Sequence, residues 1–135
     1  MIRPARTADA AAIATIWAPI VRDTTITFTT VVKSAADIEA LIASARPFLV
    51  TEEEGTATGF ALVQPFRSGP GYRFTGEQTI HLSPAARGRG QGRRLIEALC
   101  LSAGEAGWRS LWAGISGENA TGIAFHRACG YATVA

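Results

Sequence analysis

The stretch Leu82–Leu99, LSPAARGRGQGRRLIEAL, decides how the rest of the chain is read. A β-like run stops at Pro84, glycines stand at 88, 90 and 92, and Leu95, Ile96, Leu99 and Cys100 then recur at helical spacing. A strand, a glycine turn and a helix start follow one another directly, as at a join in an α/β chain. Upstream, YRFTGEQTIHLS reads as a strand from Tyr72. Before it, FLVTEE, a turn at Glu54-Gly55 and ATGFALVQPF form a hairpin.

Further out, IRPA is a short first strand. Thr7 caps a helix to about Val21, with Ile13, Ile16, Trp17 and Ile20 on one stripe. TTITFTT is β-prone, either a strand or an extended loop. Ser34 with Asp37 resembles a capping box and opens a second helix through Ile38, Leu41 and Ile42, which Pro47 ends. Downstream, the helix after the glycine turn breaks near Gly104 and Gly107, and SLWAGI reads as a buried strand. A last helix from about Asn119 to Ala128 is closed by Gly130, and YATVA begins another strand. The order β-α-α-β-β-β-α-β-α-β predicts an α/β fold, with a mixed, mostly antiparallel sheet flanked by helices. It is parallel where the late helices cross over, and residues 1–135 form a single domain.

The totals narrow the possibilities. At 135 residues, 47% hydrophobic and 18% charged, the chain is ordinary for a globular core. Cys100 and Cys129 lack CxxC or His spacing, which points to a reducing compartment and away from a metal site. No apolar run approaches the roughly 20 residues of a membrane span, and MIRPARTADA does not read as a signal peptide, so a cytoplasmic protein is expected. A net charge of +2 is too small to argue for nucleic acid, but five arginines fall between Arg73 and Arg94.

A strand, a glycine turn and a helix start aim several backbone N–H groups at one spot, where the helix adds about half a positive charge. That arrangement suits a phosphate. The glycines let the main chain come close, and Arg87, Arg89, Arg93 and Arg94 supply counter-charge. Walker A is excluded because its lysine is missing, the only lysine being Lys33. The dinucleotide fingerprint fails on spacing, since the pattern is GxGxG in mid-chain. An RGG-like tract binding nucleic acid is weakened by the lack of interleaved aromatics.

RGRGQG resembles the R/Q-x-x-G-x-G/A signature of the GNAT superfamily of N-acetyltransferases. IRPARTADAAAIATIW, FALVQPFR, YRFTGE and ENATGIAFHRACGY are similar, in the same order, to the phosphinothricin and methionine-sulfoximine acetyltransferase group. The resemblance implies acetyl-CoA as co-substrate, its pyrophosphate held at Arg87, Gly88, Arg89, Gly90, Gln91, Gly92 and Arg93. It implies a fourth strand splayed from the fifth, with the pantetheine arm in the gap beside the main chain of Ile80, His81 and Leu82. The Leu82 N–H then donates to the thioester oxygen. Asn119 corresponds to an asparagine that hydrogen-bonds the pantetheine arm, a role compatible with its reading as a helix N-cap.

The resemblance further implies Glu77 as general base, freeing the lone pair of an amine that arrives as an ammonium ion. His126 stands where many members carry a tyrosine that protonates the leaving thiolate, and it either donates that proton or holds the helix. Phe28, Tyr72 and Arg73 correspond to the acceptor wall, Arg73 suiting a carboxylate. Trp108 and Trp112 are expected in the core. The implied activity is transfer of acetyl from acetyl-CoA to the primary amine of a small amino acid or analogue, by direct attack. The alternative is a weak or inactive acyl-CoA-binding module, because relatives continue beyond the Gly130-Tyr131 pair through further strands that this chain lacks. A homodimer covering the open edge is expected, with no nucleic acid, membrane or metal.

Overall fold

The structure, a computed structural model, describes residues 1–23, 33–67, 69–115, 117 and 119–134. Its elements are β1 (Ile2–Pro4), α1 (Ala10–Asp23), α2 (Ala35–Ser44), β2 (Phe48–Glu53), β3 (Thr56–Pro65), β4 (Thr75–Leu82), α3 (Gln91–Glu105), β5 (Ser110–Trp112) and α4 (Ala120–Ala128). The strands form one five-stranded sheet in the order β1-β2-β3-β4-β5. Every pairing is antiparallel except β4 with β5, which are parallel because α3 carries the chain across.

Local chemistry accounts for most boundaries. Ser34 caps α2, its Oγ accepting from the Asp37 N–H at 3.1 Å while the Asp37 carboxylate accepts from the Ser34 N–H at 3.0 Å. Glu54 and Gly55 turn the β2–β3 hairpin with φ of 52° and 82°, the positive values that a two-residue hairpin turn needs. The first helix begins differently from expectation. Thr7 does not cap it: residues Thr7–Asp9 form a 3-10 turn, and the Asp9 carboxylate accepts from the Arg6 N–H at 2.7 Å. Asp9 is held there by a two-pronged ion pair from Arg3, at 2.8 and 2.9 Å, and Arg3 also binds Glu52 at 2.8 Å.

Two cores line the two faces of the sheet. Ile13, Trp17, Ile38, Phe48, Val50, Phe60 and Leu62 pack under α1 and α2. Leu49, Ala61, Val63, Leu95, Leu99 and Ala103 pack under α3, with Ile80, Leu82, Trp108 and Leu111 against them. Strand β3 therefore buries both alternating sets, as a strand covered on both sides does.

Three expectations are corrected. Strand β4 starts at Thr75 and not at Tyr72, because Gly69 and Pro70 lead a 3-10 turn through Tyr72. Strand β5 is short and sits at the sheet edge, so Trp112 is 42% exposed and not a core side chain, whereas Trp108 is half-buried against the α3-side core. Residues 131–134 form no strand. Gly130, at φ 100°, turns the chain back so that the Tyr131 N–H donates to the His126 carbonyl, and Arg127 Nε donates to Thr133 Oγ1 at 2.9 Å. Among the described residues no helix is long and apolar enough to cross a membrane.

Candidate active site

Strand β4 opens a cleft because it outruns its neighbour. It pairs with β3 from Gly76 to Leu82 but with β5 only at Thr75, Gly76 and Glu77. The Thr75 carbonyl accepts from Phe66 N–H and the Ser83 N–H donates to Thr58, so these two residues mark rungs bonded to β3. Antiparallel alternation then turns the main chains of Glu77, Thr79 and His81 toward β3 and those of Gln78, Ile80 and Leu82 toward the open side. Three N–H donors thus face a gap that no described strand fills.

The gap leads to the glycine turn. Gly88 and Gly90 adopt φ of 77° and 76°, and Gly90 is the N-cap of α3 with no side-chain cap. The first N–H groups of that helix are left uncapped by any side chain, which makes the spot suited to an anion. A Cβ at Gly88 would meet nothing within 4 Å, so the main chain there is open to a ligand. At Gly92 a Cβ would lie 3.1 Å from Phe125 Cε1 and 3.4 Å from Leu82 Cδ1; this glycine serves the packing of α4 on the turn.

The arginines are tethered around this spot. Arg87 Nε donates to the Leu82 carbonyl at 3.3 Å, Arg89 pairs with Glu53 at 2.8 Å, and Arg93 pairs with Glu97 at 3.5 Å. The Gln91 amide also donates to Glu53. Glu53, which the sequence does not single out, orients two residues of the turn from β2.

Glu77 stands at the last rung before the gap, opposite Gln64 on β3 and Trp112 on β5, with its side chain exposed on the α1 face. The Trp112 ring stacks on Phe66 at 5.7 Å, and Phe66 lies 6.2 Å from Tyr72, so Tyr72 joins an aromatic cluster beside Glu77. Arg73 does not join them. It stands over the Phe74 ring at 4.9 Å and lines a hollow with Arg46, Val63 and Trp108, among residues of the α3 face. Phe28 lies outside the described residues.

His81 is turned away from the gap. Its main chain faces Phe60 on β3, and its ring packs 5.6 Å from Phe60 and 6.1 Å from Trp17. Burial, with the neighbouring Arg87 charge, lowers its pKa from 6.5 to about 4.

On α4, Asn119 is the N-cap, its Oδ1 accepting from the Gly122 N–H at 2.9 Å. His126 is 9% exposed and is the buried residue of that helix. Its Nδ1 lies 2.8 Å from the Gly122 carbonyl and its Nε2 lies 2.7 Å from the Gln78 side-chain nitrogen. Both ring nitrogens are engaged within the protein. Gln78 was missed, although a polar residue on the apolar Gln78-Ile80-Leu82 face is a visible signal.

Comparison with known proteins identifies the family. Residues 17–131 match the acetyltransferase (GNAT) family. An L-methionine sulfoximine/L-methionine sulfone acetyltransferase of Salmonella typhimurium is 38% identical over 66% of this chain and 52% of its own length. An L-amino acid N-acyltransferase of Escherichia coli is 35% identical over 99% of this chain and 80% of its own. The chain thus spans about half the length of the first relative. A phosphinothricin acetyltransferase of Sinorhizobium meliloti, solved in complex with acetyl-CoA, superposes with TM-score 0.93 at 31% identity, over 100% of this chain and 76% of that one. An open strand edge leading to a bare, arginine-ringed helix start suits an acyl-CoA, and the chain belongs to the acetyltransferase (GNAT) family.

Proposed function

We propose that the protein transfers the acetyl group of acetyl-CoA to the primary amine of a small amino acid or amino-acid analogue by direct attack, with Glu77 as general base. The observation that carries this reading is the open edge of β4, with Glu77 at one end and the bare start of α3 at the other. The pantetheine arm would lie along Gln78, Ile80 and Leu82 as an added strand, and the Leu82 N–H would donate to the thioester oxygen as negative charge gathers there. The pyrophosphate would meet Gly88, Gly90 and the first N–H groups of α3, with Arg87, Arg89 and Arg93 as counter-charge. Asn119 Nδ2 is left for the arm once Oδ1 caps α4.

Glu77 is exposed beside Tyr72 and Trp112, where an ammonium ion can reach it and give up its proton directly or through one water. The freed nitrogen attacks the thioester carbon, the C–S bond breaks, and the second proton that the nitrogen sheds on becoming an amide goes to the departing thiolate. The test is thiol release from acetyl-CoA over a panel including methionine sulfoximine and phosphinothricin. Glu77→Gln is expected to lower the rate by about 10²–10⁴-fold. Equal rates would remove Glu77 from the mechanism.

The proposal extends to the setting. Cys100 and Cys129 are free, in keeping with a reducing cytoplasm. The edge strand β5 exposes Trp112, which supports a homodimer; sedimentation at micromolar protein should give the mass of two chains, and a single-chain mass would refute it.

A further inference from the structure

We infer that Gln78 is a positioning residue which, through His126, seats α4 beside the open edge of β4. A carbonyl oxygen only accepts, so the 2.8 Å contact with Gly122 requires the proton on His126 Nδ1. The Nε2 lone pair is then free to accept from the Gln78 amide at 2.7 Å. Tautomer and amide orientation specify each other, since the reversed amide would set two acceptors face to face.

The pair sits where it controls α4. Gln78 is 4% exposed and is the first residue of β4 beyond its last rung with β5. His126 is the buried residue of a nine-residue helix whose other anchor is Phe125 against Gly92 and Leu82. The same helix starts at Asn119, whose Nδ2 the reading above leaves for the arm. A chain of bonds therefore runs from β4 through Gln78 and the His126 ring to the Gly122 carbonyl, and fixes α4 at the mouth of the gap. With both nitrogens held, His126 works as a staple, and the leaving thiolate takes its proton elsewhere.

The kinetic part rests on the acyl-CoA reading above, whereas the tautomer is measured on the protein alone, so the two can fail separately. Long-range ¹H–¹⁵N spectra of histidine-labelled protein contain two imidazoles, and His81→Leu assigns them. The expected wild-type ring of His126 is protonated at Nδ1 only. Gln78→Leu should lose that single-tautomer pattern and raise KM for acetyl-CoA about tenfold, with kcat changed by no more than about threefold. Gln78→Glu can only accept, so it should hold a doubly protonated His126 and keep KM near the wild-type value. A wild-type ring protonated at Nε2, or an unchanged KM in Gln78→Leu, overturns the inference. So does a Gln78→Glu protein as impaired in KM as Gln78→Leu.

Discussion

At the scale of single residues, a half-buried histidine and a buried aspartate set the response to acid. His81 is packed by Trp17 and Phe60 and has its pKa lowered from 6.5 to about 4 by burial. The unfolded chain then binds the proton more readily, so its contribution is complete above pH 6.5 and falls away toward pH 4, by up to about 1.4 kcal/mol per pH unit. Asp9 acts lower. The Arg3 guanidinium and the Arg6 N–H hold its carboxyl below the ordinary 3.8, so its stabilisation is present above that value and lost as pH falls through the lowered one. Urea unfolding at pH 7, 5, 4 and 3 should show a loss in two stages, the first between pH 7 and 4 and the second below pH 4. His81→Leu should flatten the first stage, and Asp9→Asn should lower stability at pH 7 by about 1.5–3 kcal/mol while flattening the second. An unaltered upper stage in His81→Leu would contradict the assignment.

At the scale of elements, the glycine turn separates two uses of one residue type. Gly88 has a positive φ and open space where its Cβ would be, whereas Gly92 has Phe125 and Leu82 against it. Gly88→Ala should therefore cost about 1–2 kcal/mol of backbone strain and weaken acetyl-CoA binding by more than the strain alone. Gly92→Ala should displace Phe125 and loosen α4, an overpacking cost of about 1–3 kcal/mol. Calorimetry of unfolding and of acetyl-CoA binding on both variants separates the two effects. Equal losses of binding per kcal/mol of stability would mean that the turn is only scaffold.

At the scale of the whole molecule, two helical layers cover the two faces of the sheet, and its one parallel pairing is cut short to leave a slot. The element order as far as the last helix, the Ser34–Asp37 capping box, the Glu54-Gly55 hairpin and the glycine turn that launches α3 were legible because each depends on neighbours in sequence. The link from the start of α1 through Arg3 to Glu52 was not, for Arg3 and Glu52 are 49 residues apart. The same holds for Gln78 and His126, 48 residues apart, and for Glu53 with Arg89, 36 apart. Arg73 was misplaced because alternation alone does not say which face a residue ahead of a strand takes. His81 was misplaced because Ile80 and Leu82 share the open side and their neighbour between them cannot. The His81 correction follows from the pleat once the rungs at Thr75 and Ser83 are known.

That pleat also supplies the most direct test of the central claim, that an acyl-CoA arm adds itself to the open edge of β4. Amide hydrogen exchange is measured residue by residue with and without acetyl-CoA. The N–H groups of Ile80 and Leu82 should slow by at least about tenfold on binding, while those of Thr79 and His81, already bonded to β3, should change little. Saturation with acetyl-CoA that leaves Ile80 and Leu82 exchanging at their free rates would contradict it.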